Sequence, residues 1–475
     1  MAKVMTHTTE SNQLSAANWI LLVVAVASFT ILAISVPHLI GNQGWFTGAQ
    51  AGEKFLYVAL VAYLGASVLY GSALALRQAE LFQGAVLLSR GGLLLHTIAI
   101  AARWVSSGHP PLSDIYEMVL VFSWAVVALH VVAEWRLKVT FLGAITLPIA
   151  ALALILMQVL PGEIRPLVPA LQSTWLQIHV TLAMLSYAGF TISFAVALLY
   201  LIKDGVTTRN FLTGCSALVV AVYGSIVANS VNGSMALTMT AWDPGLQGKV
   251  MLAPHKALMV PVEALGWPFV VALALAAATL AMNLAARYSA QPERWEKPAR
   301  WAFLAALGGQ ALALGLLLVK VNGGPYFVTG YTQGFEVRLM DSPFLLAGVA
   351  TALFACIAWE VLNWKYDSIV GYLPSRDTLD NLIYKTVAIS FPLLTFMIIA
   401  GAYWANRTWG AYWSWDPKED WALITWLTYA GYIHMRLTRG WRGRRSAYFA
   451  IIGFGVVMFT FFGVTYLLPG LHSYA

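Results

Sequence analysis

Charge is scarce in this chain: of 475 residues, 10% are Asp, Glu, Lys or Arg, whereas 59% are hydrophobic. A soluble domain carries roughly 25% charged and 45–50% apolar residues, so this composition excludes a water-soluble globule and requires an integral membrane protein. Cysteine is scarcer still. Cys215 and Cys356 are the two, each inside an apolar run and far from the other in sequence. That spacing excludes a CxxC redox pair or a thiolate metal centre, and both are expected to be small buried hydrophobes. The net charge is +7, yet nucleic acid is not an expected partner, because basic residues of membrane proteins collect in cytoplasmic loops. The first apolar run, from near Trp19, is too long for a signal-peptide core and no A-x-A-like site closes it, so it is expected to be retained.

What the chain has in abundance is long apolar runs. About 20 such residues cross a bilayer, and lipid forces them into helices because it offers backbone groups no partners. The sequence therefore predicts an all-α polytopic bundle of about thirteen helices, over 19–37, 55–76, 84–105, 114–135, 139–160, 174–202, 211–231, 258–286, 301–320, 343–364, 379–404, 420–437 and 446–468. One alternate set of connections holds Arg77, Arg136, Lys138, Lys203, Arg209, Arg287, Lys365, Arg376 and the cluster Arg436, Arg439, Arg442, Arg444 and Arg445. The positive-inside rule makes that set cytoplasmic, with the N-terminus inside and the C-terminus outside. Three longer connections, at about 38–54, 232–257 and 321–342, then lie outside as loops. The expected location is the inner (cytoplasmic) membrane, with the chemistry at its outer, periplasmic face.

One of the outer loops is unusual. Between the spans at 379–404 and 420–437 it reads Trp404-Ala-Asn-Arg-Thr-Trp409-Gly-Ala-Tyr-Trp413-Ser-Trp415-Asp416-Pro-Lys-Glu-Asp-Trp421. An interfacial aromatic belt accounts for one or two tryptophans, but not for this density beside Asp416-Pro417-Lys418-Glu419. Such a platform suits a large flat ligand whose faces it buries and whose edges meet polar groups. His179 stands about one turn inside the outer end of its helix, and His472 just beyond the outer end of the last one. Either alone reads best as an interfacial histidine. Together, level with the aromatic loop, they suit two axial ligands clamping one haem iron.

These residues resemble a known family, the CcsA/ResC haem-handling proteins of system II cytochrome c assembly, defined with their wider superfamily by a WWD domain. The likeness runs from Tyr372-Leu-Pro-Ser through Gly401-Ala-Tyr-Trp404, Trp409-Gly-Ala-Tyr-Trp413-Ser-Trp415-Asp416-Pro-Lys-Glu and Gly440-Trp-Arg-Gly-Arg to Gly470-Leu-His472-Ser-Tyr. A second stretch covers Arg103-Trp104, Gly108-His-Pro-Pro-Leu-Ser113, Tyr116-Glu117 and Trp175 to Tyr187. The resemblance implies that His179 and His472 are paired external ligands of haem b. It implies that Trp409, Trp413, Trp415, Asp416 and Trp421 hold the porphyrin while its vinyl groups meet the thiols of a CxxCH motif in apocytochrome c. It also implies an inner haem site at His434, with His96 as a loosely held candidate partner. A ResB/CcsB-like membrane protein is the implied partner, with thioredoxin-like thiol reductants acting indirectly. A haem transporter or delivery protein of the same superfamily, without synthase activity, is the alternative, and a bis-histidine electron-transfer cytochrome a more distant one.

The remaining polar residues have plainer readings. His38, His130 and His255 are expected to be structural and His109 a loop histidine; Arg103 and Glu117 are expected to pair, while Arg407 or Lys418 suits a haem propionate. The chain divides into N-terminal helices (1–83), the first part of a CcsA-like core with His179 (84–203), inserted helices and outer loops of unknown role (204–371), and the WWD core (372–475). Typical members of the family join the two core parts by one short connection. Within the insertion Trp242-Asp-Pro244 only superficially echoes the tryptophan loop.

Overall fold

Backbone amides have no water to turn to inside a bilayer, so each apolar run closes its hydrogen bonds on itself as a helix. A computed structural model describes residues 46, 51–137, 139–157, 160, 162, 164, 166–205, 208–230, 236–239, 241–243, 248–250, 258–261, 266–321, 326–327, 334–337, 343–468 and 470. In chain order the helices are α1 (Glu53–Leu76), α2 (Ala79–Ser107), α3 (Ile115–Leu137), α4 (Gly143–Met157), α5 (Thr174–Lys203), α6 (Thr208–Ser230) and α7 (Gly266–Tyr288). They continue as α8 (Glu293–Val321), α9 (Pro343–Trp364), α10 (Tyr366–Tyr372), α11 (Arg376–Trp409), α12 (Pro417–Thr438), α13 (Arg444–Met458), a π-helical turn (Phe459–Gly463) and α14 (Val464–Leu467). Twelve of the thirteen expected spans meet these helices, and the first, 19–37, lies outside the described residues. Among the described residues nine helical stretches are long and apolar enough to cross a membrane. The chain is a multi-pass, helical membrane protein.

Two boundaries differ from expectation. The helix expected at 301–320 starts eight residues earlier, at Glu293. The span expected at 258–286 begins instead as a strand, and its helix starts at Gly266. Proline explains the break: Pro261 closes the strand, and Pro268 is tolerated only because it sits in the first helical turn. The connections within 204–371 carry short strands: β1 (Ala236–Met239), β2 (Ala241–Asp243), β3 (Gly248–Val250), β4 (Leu258–Pro261), β5 (Tyr326–Phe327) and β6 (Gly334–Val337). β1 pairs with β4, and β3-β2-β6-β5 form a small antiparallel sheet. Trp242 and Asp243 therefore belong to a paired strand, opposite Lys249 and Gly248.

Two hydrophobic cores form. The larger joins α1–α5 to α10–α13, with α5 against α11 at its centre. Gly189 makes that pairing close, since a Cβ there would collide with the Ser390 hydroxyl, and Phe190 stacks on Tyr429 with centroids 3.6 Å apart. The smaller core lies among α6–α9, around Tyr223, Phe303, Cys356 and Trp359. Cys356 is buried and Cys215 half-buried, as small hydrophobes should be.

Basic residues gather at one end of the larger body. Arg77 donates to the carbonyls of Asp367 and Ser368, and Lys203 to that of Val370. Asp204, closing α5, takes both Arg376 and Arg444. Buried Arg436 pairs with buried Asp380 at 2.7 Å, whose carboxylate also accepts the Gly443 amide. From this end α11 runs 34 residues, about 50 Å at 1.5 Å per residue, to deliver the tryptophan loop at the opposite end.

Candidate functional site

At that opposite end the first turns of α5, the last turns of α11, the loop 410–416, the start of α12 and the π-helical turn converge. His179 is set by α5, which starts at Thr174 after Ser173, so its ring lies just over one turn inside the bundle. Its Nδ1 lies 2.8 Å from the carbonyl oxygen of Met397 on α11. A carbonyl only accepts, so this bond fixes the proton on Nδ1 and the lone pair on Nε2. Gly401, one turn past Met397, makes room: a Cβ there would stand 2.6 Å from Nδ1. Trp404, buried, lies nearly parallel to the imidazole at 6.4 Å and donates from Nε1 to the Ala170 carbonyl at 3.0 Å.

Beside His179 a cavity opens, lined by Leu112, Ser113, Met118, Tyr187, Met397, Gly401, Trp404, Tyr412, Trp413, Lys418, Thr460 and Phe461 among others. Counting the open space at its mouth, the empty volume is about 1030 Å³. Its lining joins the two separate stretches of the family-like sequence. Leu112 and Ser113 come from the Gly108-His-Pro-Pro segment, which an ion pair anchors from behind. Ser113 gives its amide and hydroxyl to Glu117 at 2.9 and 2.6 Å. Glu117 in turn pairs with buried Arg103 at 2.8 Å, which also donates to the Gly162 carbonyl. The expected Arg103–Glu117 pairing is thus present, and it holds one wall of the cavity. His109 turns its Nδ1 to the Pro110 carbonyl within the same loop.

The tryptophan loop divides its labour. Trp413 lines the cavity, whereas Trp409 meets Trp404 edge-on at 4.8 Å and braces it. Trp421 packs on Phe459 at 4.2 Å, and Trp415 is 71% exposed with a left-handed φ of 58°, uncommon for a bulky residue. Asp416 is buried and caps α12: it accepts the Lys418 amide, while Glu419 reaches back to the Asp416 amide, a capping box. Glu419 also takes the Ser414 amide at 2.7 Å, so one carboxylate fixes the bend that turns Trp415 outward. Gly470 packs so closely on the Asp416 carboxylate that a Cβ would not fit between them. His472 itself lies outside the described residues. Arg407 sits over Tyr403 and bonds its hydroxyl at 3.2 Å, and Lys418 lines the cavity.

The other two histidines are separate. His96 is fully buried on α2 with Nδ1 3.2 Å from the Tyr63 hydroxyl. His434 is exposed on α12, and no hydrogen bond or ring contact joins the two among the described residues. His130 is buried with both ring nitrogens bonded, to Tyr70 and Thr146. His38 and His255 lie outside the described residues.

Sequence reasoning missed three parts of the site. The Met397 carbonyl carries no side-chain signal at all. Gly401 stood in a matched motif but had no assigned role. The π-helical turn, which brings Thr460 against Thr425 at 2.8 Å and Phe461 into the cavity wall, follows from no periodicity; such turns recur at functional sites.

The same residues match known proteins. The family model described as cytochrome C assembly protein matches residues 112–472, across the 204–371 segment as well as both core parts. A cytochrome c biogenesis protein CcsA of Picosynechococcus is 32% identical over 379 residues, 79% of this chain and 82% of its own length. Those of Trichormus variabilis and of a Nostoc species are 31% and 30% identical over 451 residues, 92% of this chain and 99% of their own lengths. With a match of that extent, through a cavity assembled from both of its conserved-looking ends, the chain belongs to the cytochrome c assembly protein family, among the CcsA proteins.

Proposed function

We propose that this protein acts in cytochrome c assembly by holding haem b in the His179 cavity at the outer face and presenting it for covalent attachment to apocytochrome c. The observation that carries the reading is the His179–Met397 bond. It commits Nδ1 as donor to a helix carbonyl, the arrangement that orients an imidazole for iron through Nε2. The residues present fit the group: the cavity is open at one side, walled largely by aromatic and aliphatic side chains, and has Lys418 in its lining beside Glu419, which the loop amides engage.

The second axial ligand in this reading is His472. Gly470, two residues before it in sequence, touches Asp416. Trp413 and Tyr412 cover the ligand's face, Trp404 and Trp409 back the His179 side, and Asp416 with Glu419 hold the loop in shape. Trp421 supports the π-helical turn from below. Lys418 is placed to meet a propionate. Exposed Trp415 and Tyr412 face the aqueous side, where the client polypeptide arrives.

Haem bound here supplies two vinyl groups, across each of which a cysteine S–H of the CxxCH motif adds to give a thioether with no leaving group and no net oxidation. The protein's part is orientation, exclusion of water and axial ligation. Thiol reduction requires other chains, through thioredoxin-like reductants, and a ResB/CcsB-like membrane protein completes the synthase. In this reading the basic end is cytoplasmic, in keeping with the positive-inside rule, and the cavity faces the periplasmic side of the inner membrane. An inner haem site uses His434, which α12 exposes, with His96, whose Nδ1 is bonded to Tyr63 and whose buried Nε2 has no hydrogen bond, as its candidate partner.

The test is the absorbance spectrum of the purified chain. A six-coordinate bis-imidazole haem is expected, lost when His179 and His472 are both replaced by alanine; an unchanged spectrum overturns the ligand assignment. Co-expression with a ResB-like partner and an apocytochrome is expected to yield haem that resists acid-acetone extraction. Haem that stays extractable there, with the bis-imidazole spectrum intact, leaves delivery without synthesis.

A further inference from the structure

Far from the cavity, towards the basic end, helices α1 to α4 each turn a polar side chain into an otherwise apolar interface. Tyr70 comes from α1, Ser89 from α2, His130 and Glu134 from α3, and Thr146 from α4, and all five are buried. His130 and Glu134 are spaced i, i+4 on one face of α3. The depth is modest and graded. Glu134 is three residues from the end of α3 and Tyr70 six from the end of α1, or about 5 and 9 Å at 1.5 Å per residue. Ionisable groups at such positions are costly and need a reason.

The bonds run in one line. The Thr146 hydroxyl is 3.1 Å from His130 Nδ1, His130 Nε2 is 3.3 Å from the Tyr70 hydroxyl, and Tyr70 donates to Glu134 Oε1 at 2.8 Å. Thr146 gives its hydroxyl proton to the Leu142 carbonyl at 3.0 Å and so accepts from His130 Nδ1, which leaves Nε2 to take a proton. His130 Nε2 and the Tyr70 hydroxyl can each donate or accept, so the two bonds from His130 to Glu134 can reverse. Glu134 carries one long ion pair: Arg90 of α2 stands 3.6 Å from Oε2, with 53% of its side chain exposed against 4% for Glu134. Oε2 is buried and accepts no closer hydrogen bond. A carboxyl with one oxygen on a hydroxyl and the other in a long ion pair, three residues from the end of α3, is arranged to gain and lose a proton.

We propose that Glu134, Tyr70 and His130 form a proton relay, loaded from the basic end of the bundle at Glu134 and passing its proton inward to His130. The step balances without any co-reactant. A proton taken up by the Glu134 carboxylate moves to the Tyr70 oxygen as the Tyr70 hydroxyl proton moves to His130 Nε2, leaving a carboxylate and an imidazolium; nothing is oxidised or reduced. Among the described residues, the groups of the four helices facing this line are Ser89 and Arg90, with Arg90 the one other charge. The inference is independent of what the outer cavity holds.

Infrared difference spectra of the purified full-length chain between pH 5 and 9 test it. A protonated-carboxyl band is expected in acid and is expected to vanish in Glu134→Gln. The His130 imidazole bands, assigned by their loss in His130→Gln, are expected to titrate together with it. Tyr70→Phe cuts the line and is expected to separate the two midpoints by at least one pH unit. Carboxyl bands unchanged in Glu134→Gln, or midpoints indifferent to Tyr70→Phe, overturn the relay and leave a static packing network. If Tyr70→Phe does not fold, the wild-type chain in D2O decides: a Glu134 carboxyl band that shifts within seconds supports loading from water, and one protected for hours overturns it.

Discussion

Gly401 and His179 compete for one volume: a β-carbon on Gly401 would stand 2.6 Å from the imidazole Nδ1. The imidazole reaches the Met397 carbonyl because α11 presents bare backbone there. Gly401→Ala is expected to push the ring off that carbonyl, at an overpacking cost of about 1–3 kcal/mol, and to lower haem occupancy several-fold in a chain that still folds. Absorbance per protein, read beside the thermal midpoint, checks this; full occupancy with the bis-imidazole spectrum intact would sink the orienting role of Met397.

Asp416 supports a second expectation. It caps α12 through the Lys418 amide and lies against Gly470. Asp416→Ala removes an N-cap, worth about 0.5–2 kcal/mol, and frees the tail that leads to His472. Asp416→Asn keeps a capping oxygen and is expected to retain most of both stability and occupancy. Equal losses in the two variants, measured by melting and by haem absorbance, would mean that charge and not capping is what Asp416 provides.

How much of this was legible beforehand depended on the kind of signal. Apolar length placed twelve helices within a few residues, except where Pro261 and Pro268 delayed α7, because a hydropathy run does not register a missing N–H, and where α8 begins at Glu293, in a charged stretch that no hydropathy run includes. His179 stood out as an imidazole near a helix end beside an aromatic loop. The roles of individual tryptophans did not: Trp409, Trp413 and Trp415 look alike in sequence, and only the left-handed backbone at Trp415 and the edge-on contact of Trp409 with Trp404 separate wall, brace and outward-facing ring. The Glu134–Tyr70–His130 line was illegible for a similar reason, since its members come from two helices whose register no periodicity fixes.

The Arg436–Asp380 pair predicts a stability effect far from the cavity. Both groups are buried and lie 2.7 Å apart, and Asp380 also accepts the Gly443 amide at 2.9 Å. Removing one partner strands the other, at about 3–5 kcal/mol, whereas replacing both by apolar residues of similar volume is often close to neutral. Asp380→Leu or Arg436→Met alone is expected to lower the thermal midpoint sharply, and the double variant to recover much of the loss. A double variant as unstable as the sum of the singles would show that the two residues act separately.

Asp114 makes the stability of the loop before α3 depend on pH in a definite direction. It precedes α3, where its carboxylate accepts the Glu117 amide at 2.8 Å. Burial, and then the negative charge of Glu117, pushes its carboxyl up to about 6 from an ordinary value of about 3.9. Between those values the folded chain holds more protons on this group than the unfolded chain does, so stability falls as pH rises through that interval. The contribution is full below about pH 4 and gone above about pH 6. Asp114→Asn retains an oxygen for the Glu117 amide and does not titrate. The difference in thermal midpoint between wild type and Asp114→Asn is therefore expected to move against the wild type from pH 4 to 6, and to stay constant from 6 to 8. A difference that is flat from pH 4 to 8, or that moves the other way, would show that this carboxyl is not held above its ordinary range in the folded protein.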